Sequence, residues 1–263
     1  MYSAEVVEPD SYPKALQVIA DPRRWHLLRE LVQSDRRVGE LTHLLGEPQN
    51  LVSYHLRELR GAGLVSSRRS SFDGRDTYYR VDLTRCADVL TSAAAALDPG
   101  LRLEAVRATP TRARGRRPRV LFLCTGNSAR SQMAEALLEH LSGHAIEARS
   151  AGSQPKPVHP IAVQVMAARG IDISGRTTKH LRQFNRTRFD QVITLCDKVR
   201  EVCPEFPGAP TTAHWSIPDP ASTGDVDEAT YAAFEQVAAD LEIRISHLIA
   251  RLSTHQGEAA HAR

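Results

Sequence analysis

The chain has 263 residues, a formal net charge of +3, 41% hydrophobic residues and four cysteines. That length allows two domains. No stretch reaches the roughly 18 apolar residues of a membrane span, and the acidic start MYSAEVVEPD has no apolar signal core, so a membrane or secreted protein is not expected. Four cysteines in so long a chain are no disulfide scaffold; they fit thiol chemistry in a reducing cytoplasm.

Charge divides the chain into three. Residues 1–98 hold 13 basic and 14 acidic side chains, residues 99–119 hold 7 and 1, and residues 120–263 hold 14 and 16. The excess positive charge therefore sits in the stretch ending PTRARGRRPR, whose Pro, Gly and Arg content without apolar period marks a linker. It reads as a solvated hinge, as a contact to a DNA backbone, or as a strap docked on a neighbouring domain.

In chain order, 13–32 reads as helical with Pro22 restarting it after Asp21. A short amphipathic helix follows over 38–45, broken by Gly46-Glu47-Pro48, then a second over 49–61 with Leu51, Val52, Leu56 and Leu59 on one face. Residues 66–81 read as a hairpin with Asp73-Gly74 at its tip. Helix, turn, helix, wing is a DNA-binding order.

The segment PQNLVSYHLRELRGAGLV resembles the recognition helix of the ArsR family of winged-helix repressors. The resemblance spans about residues 10–98 and implies that Gln49, Asn50, Ser53, Tyr54 and Arg57 face the major groove. Arg68, Arg69 and Arg75 would reach phosphate or the minor groove from the wing. The helix before the recognition helix, RVGELTHLL, lacks the inducer-binding cysteines common in that family, and TSAAAAL lacks the acidic and histidine pairs of its other sensor site. Cys86 stands alone, and His26, His43 and His55 form no metal spacing, so no metal site is expected. The alanine-rich 90–97 segment reads as a dimerisation helix, giving a homodimer on a palindromic operator.

The second half opens with VLFLCTGNSARSQMAEAL. A buried strand over 120–123 ends in the nucleophile Cys124, a loop of small residues Thr125, Gly126, Asn127, Ser128 and Ala129 follows, and Arg130 and Ser131 start a helix expected over 129–141. Gly126 and Asn127 tolerate positive φ, so the loop amides can converge on one centre as an anion nest at a helix N-terminus. Arg130 adds a planar fork for a tetrahedral oxyanion, and the same field, with a Ser131 hydrogen bond, is expected to lower the Cys124 pKa. Further on come a strand over 145–150, a helix over 160–169, a strand over 191–195 that delivers Cys196, a short strand over 212–215 that leads to Asp219, and a long helix over 227–251.

CTGNSARS resembles the phosphate-binding loop of the low-molecular-weight protein tyrosine phosphatase fold, and within it the thioredoxin-coupled arsenate reductases. TLCDKVREVCP spaces Cys196 and Cys203 as those reductases space their second and third redox cysteines, and HWSIPDPA places Ala221 rather than an aromatic residue after Asp219-Pro220. The resemblance implies a relay through Cys124, Cys196 and Cys203 with Asp219 as general acid, no bound cofactor, and an external thiol reductant such as thioredoxin. Seven residues of intact helix would hold Cys196 and Cys203 about 10 Å apart, so 197–202 must unwind to let them bridge. The expected architecture is multidomain. A mainly-α winged helix-turn-helix covers 1–98 and a basic linker 99–118. An α/β three-layer domain with a four-stranded parallel sheet, low-molecular-weight-phosphatase-like, covers 119–252, and a disordered tail 253–263. Two alternatives share these motifs: a phosphatase carrying a DNA-binding module, and a repressor that uses its catalytic domain as an oxyanion or arsenite sensor.

Overall fold

The computed structural model describes residues 14–72, 74–101, 116–208, 210–222 and 228–261. The chain separates into two compact units, residues 1–67 with 79–105, and residues 68–78 with 106–263.

The first unit contains α1 (Lys14–Ile19), α2 (Pro22–Gln33), α3 (Val38–Leu45), α4 (Gln49–Gly61) and α5 (Leu83–Leu97). Each start has a local cause. The Asp21 side chain accepts from the amides of Arg23 and Arg24 ahead of Pro22, and the Asp82 side chain accepts from the Arg85 amide. Gly46, at φ 67°, closes α3 in the left-handed region. Strand β1 (Arg36–Arg37) lies beside β3 (Thr77–Val81), which pairs with β2 (Val65–Arg69). Leu27, Leu31, Leu41, Val52, Leu56, Leu59 and Leu64 fill the core. Leu51, expected inside, is only half-buried, and His55 is buried in its stead. The helix-turn-helix and hairpin stand as expected; Gly74 takes a φ of 67° at the tip, and Asp73 lies outside the described residues.

The second unit is built on four parallel strands in the order β5-β4-β6-β7: β4 (Arg119–Cys124), β5 (Glu147–Gly152), β6 (Gln191–Thr194) and β7 (Thr211–His214). Their connections carry α6 (Arg130–Leu141), α7 (Pro160–Ala167) and α8 (Asp197–Glu201), and α9 (Glu228–His261) closes the unit. Helix α6 packs against β4, β5 and α9. Val120, Leu121, Phe122 and Leu123 are all fully buried, the continuous apolar run a sheet covered by helices requires.

Two boundaries differ from expectation in ways that matter. Strand β5 runs to Gly152 rather than Ser150, because its ladder with β4 continues to the Cys124–Gly152 pair. Helix α9 runs to His261, so the tail expected to be disordered from 253 continues the helix; an established helix adds one hydrogen bond per residue, and Ala, Glu and Gln prolong it. Of the basic linker, 102–115 lies outside the described residues. At its end Arg116 pairs with Asp190 and Arg117 donates to the His144 carbonyl at 3.2 Å, so these two residues are docked on the second unit. Among the described residues no helix is long and apolar enough to cross a membrane.

Candidate active site

Because the strands are parallel, their C-terminal ends share one edge, where open α/β sheets place ligands. Cys124 ends β4, Gly152 ends β5 and His214 ends β7, while Cys196 follows β6 by two residues.

Hydrogen bonds hold the loop after Cys124 in shape. The carbonyls of Thr125, Gly126 and Ser128 accept from the amides of Gln154, Lys156 and His159 at 2.8–2.9 Å. With its carbonyls occupied, the loop has its amides left for an anion. The Asn127 amide donates to Cys124 Sγ at 3.2 Å. The left-handed turn falls on Asn127, at φ 48°, rather than on Gly126. A neighbouring strand permits this bend: a Cβ on Gly152 would meet the Thr125 carbonyl at 2.6 Å and the Asn127 amide at 2.8 Å.

Asn127 is fully buried and uses its whole side chain. Oδ1 accepts from the Lys179 amide at 2.7 Å and from Gln132 at 3.2 Å, which fixes the orientation of the carboxamide. Nδ2 then donates to Ser131 Oγ at 2.9 Å and to Ser150 Oγ at 2.8 Å. With a lone pair so engaged, the Ser131 hydroxyl points its hydrogen at Cys124 Sγ, 2.9 Å away. Ser150 in turn donates to buried Glu135, which is neutralised by Lys179 at 3.0 Å and Arg176 at 3.3 Å. Asn127, Ser131, Ser150 and Glu135 thus form a chain of orienting bonds ending on the sulfur. Sequence reading anticipated Ser131 but missed Gln132, Glu135, Ser150, Gly152 and Lys179. Gln132 and Glu135 are buried in α6, which from Arg130 to Leu138 is buried all round, so no amphipathic pattern marked them.

Arg130 is buried and its fork is engaged: Nη1 donates to the Ile217 carbonyl at 2.9 Å and Nη2 meets Asp219 Oδ2 at 3.0 Å. The structure thus brings Cys124 to Ser131 and Arg130 to Asp219. Helix α6 starts at Arg130, one residue later than expected; Ala129 is its cap, with no side-chain bond to the first amides.

The acidity of Cys124 is a correction. Burial, the largest influence, pushes the thiol pKa up; Arg130 pulls it down, Cys196 pushes it up, and Ser131 pulls it down, and the net shift is upward. The expected lowering followed from charge alone, whereas a sulfur shut away from water favours the neutral thiol.

Cys196 is buried with Sγ 3.2 Å from Thr125 Oγ1, which places it beside the loop. Helix α8 intervenes before Cys203, a half-buried thiol that burial raises to about 11. All four cysteines are free thiols. Asp197 at the start of α8, unforeseen, is buried and meets His214 Nε2 at 3.1 Å.

On the first unit, Gln49, Asn50, Ser53, Tyr54 and Arg57 are exposed on α4, with the Arg57 guanidinium 5.6 Å over the Tyr54 ring. Arg69 and Arg75 are exposed. Arg68 is not free in this structure: its guanidinium lies on Asp197 at 2.8 Å and its Nε on the Ser216 carbonyl at 3.1 Å, because a buried carboxylate binds it more firmly than solvent does. Among the described residues no cluster of three or more His, Cys, Asp or Glu is placed to hold a metal.

Residues 119–257 match the family model for low molecular weight phosphotyrosine protein phosphatases. The chain belongs to that family. Residues 21–67 match the model for bacterial regulatory proteins of the arsR family, so this phosphatase-family domain is fused to an ArsR-type helix-turn-helix. Among relatives, the arsenate reductase of Halalkalibacterium halodurans is 40% identical over 126 residues, 48% of this chain and 91% of that protein. The glutaredoxin arsenate reductase of Synechocystis sp. is 35% identical over 135 residues, 51% of this chain and 98% of that protein. A solved arsenate reductase in the phosphate binding state aligns over 51% of this chain and 98% of its own at 32% identity, with a TM-score of 0.43.

Proposed function

We propose that the second unit reduces arsenate to arsenite through Cys124, Cys196 and Cys203, and that the first unit binds DNA as a regulator of arsenic detoxification. The observation that carries the reading is a second thiol, Cys196, touching the loop that holds Cys124, Arg130 and Ser131. Arsenate seats on the loop amides and takes the Nη2 position of Arg130 that Asp219 holds. Asp219, half exposed and then released, relays the proton of the Cys124 thiol to the leaving oxygen, which departs as water while Cys124 Sγ bonds to arsenic. Cys196 attacks Cys124 Sγ: the S–S bond forms, the S–As bond breaks, and its electron pair leaves with arsenic as arsenite. Cys203 attacks Cys196 Sγ and expels Cys124 as thiolate. A dithiol reductant of thioredoxin type, or a low-molecular-weight thiol with its redoxin, then reduces Cys196–Cys203. No bound cofactor is required.

On the DNA side, Gln49, Asn50, Ser53, Tyr54 and Arg57 read a palindromic operator, with Arg69 and Arg75 on phosphate. Exposed Leu90 and Leu97 on α5, with Trp25 and Leu16 bordering a groove beside Leu90, support a homodimer through the first unit. The reducing chemistry points to a cytoplasmic protein.

A phosphatase reading also has an observation behind it, since Cys124, Arg130 and Asp219 suffice for phosphoester hydrolysis. Cys196→Ser separates the two. Arsenate turnover with a thioredoxin system should vanish while p-nitrophenyl phosphate hydrolysis persists; arsenate turnover retained by that variant would refute the relay.

A further inference from the structure

The second unit includes residues 68–78, the far end of the β2–β3 hairpin, and two of them, Arg68 and Ser71, bind one carboxylate. The Asp197 side chain is 1% exposed. Its Oδ2 accepts from Arg68 Nη2 at 2.8 Å, from the Ser71 amide at 2.8 Å and from the Ser71 hydroxyl at 3.0 Å. Its Oδ1 accepts from the Ser216 hydroxyl at 2.7 Å and faces His214 Nε2 at 3.1 Å. Burial raises the pKa of this carboxyl, but the bonds from His214, Ser216 and Ser71 and the charge of Arg68 outweigh it and hold it well below the usual carboxylate range. At the other end of α8, the Arg200 guanidinium lies 5.2 Å over the Tyr78 ring, which itself packs on His214 at 4.7 Å. Both ends of this five-residue helix are thus tied to the hairpin.

Helix α8 is also what separates Cys196 from Cys203. The five residues of α8 alone rise about 7.5 Å, and a disulfide needs its Cα atoms within about 7 Å. Closing Cys196–Cys203 therefore unwinds α8 and carries Asp197 away from its donors, which would otherwise remain buried and unpaired.

We propose that the far end of the hairpin is a latch on the redox relay: Arg68 and Ser71 hold α8 wound while Cys196 and Cys203 are thiols, and the Cys196–Cys203 disulfide releases residues 68–78. The proposal rests on the relay described above. In the releasing step Cys203 thiolate bonds to Cys196 Sγ and Cys124 departs as thiolate, the two electrons having already passed to arsenic. Release frees the Arg68 guanidinium beside exposed Arg69, on the strand expected to meet phosphate. The oxidised enzyme then presents a more basic hairpin to DNA than the reduced one.

Hydrogen–deuterium exchange on the full chain tests this in three states: reduced, after one equivalent of arsenate, and after the azodicarboxamide oxidant diamide. Amides of 69–72 and 74–78, Ser71 foremost, should exchange at least about tenfold faster in any sample whose Cys196–Cys203 disulfide is verified by mass. Cys203→Ser, treated alike, should keep its protection. Equal protection in the reduced and disulfide forms overturns the latch. Release by diamide without disulfide formation by arsenate upholds the latch and sinks the arsenate reading instead. Arg68→Ala should also speed diamide closure of Cys196–Cys203 by about tenfold, the worth of one charge-assisted hydrogen bond; an unchanged rate contradicts the proposal.

Discussion

Two arginine–carboxylate pairs in the second unit are opposites. Arg130 is buried, its side chain 7% exposed, and its partner Asp219 is 51% exposed. Arg68 is 26% exposed, and its partner Asp197 is buried at 1%. In each pair the buried member is fixed by its surroundings and the open member is exchangeable. The first pair therefore presents a rigid guanidinium from which an incoming oxyanion can displace a carboxylate. The second is a rigid carboxylate whose arginine, in the proposed latch, leaves when the helix carrying it unwinds. In the proposed function one pair accepts a ligand, and in the proposed latch the other holds a segment in place.

The largest expected effect falls on the first pair. Arg130→Ala should cut kcat/KM for arsenate by about a thousandfold, as loss of a transition-state oxyanion donor does, with little change in melting temperature. Substitution of the second pair should do the reverse. Asp197→Ala strands His214 and Arg68 and should cost about 3 kcal/mol in denaturant unfolding of the second unit. Its pH dependence has a definite sign: the folded pKa lies below the unfolded one, so the stabilisation is complete above about pH 4 and lost as pH falls towards the folded value. Asp197→Asn should flatten that acid limb, and an unaltered limb would show that another carboxyl governs it.

Gly152→Ala sharpens the comparison from the loop side. A Cβ 2.6 Å from the Thr125 carbonyl must displace it, at about 1–3 kcal/mol, and phosphate affinity should fall with stability. The smallest effect concerns Cys124 itself. Its raised pKa predicts iodoacetamide alkylation rising through a midpoint above that of an ordinary thiol, about 8.5. Arg130→Ala, and to a lesser degree Ser131→Ala, should move the midpoint further up. A midpoint below neutrality would restore the charge-only expectation.

What the sequence made legible follows from distance along the chain. Cys124, Arg130 and Ser131 lie within eight residues, and strand and helix geometry alone brings them together. The helix-turn-helix was equally plain, because its caps and apolar spacing are local. The side-chain partners of Asn127 are 4 to 52 residues away and those of Asp197 up to 129, so no short pattern encodes the sets. The partner of Arg68 was hidden for the same reason: a wing arginine looks basic in sequence, and only the fold places a buried carboxylate against it. The acidity of Cys124 was misjudged because its burial by the surrounding sheet and helices is not written beside it.

The proposed relay needs three thiols acting in sequence, and trapping reads that order directly. Cys203→Ser, given one equivalent of arsenate and quenched with an alkylating agent, should yield by mass spectrometry a Cys124–Cys196 disulfide and one equivalent of arsenite. Arsenite release with Cys124 and Cys196 both still free thiols, or no arsenite at all, would contradict it.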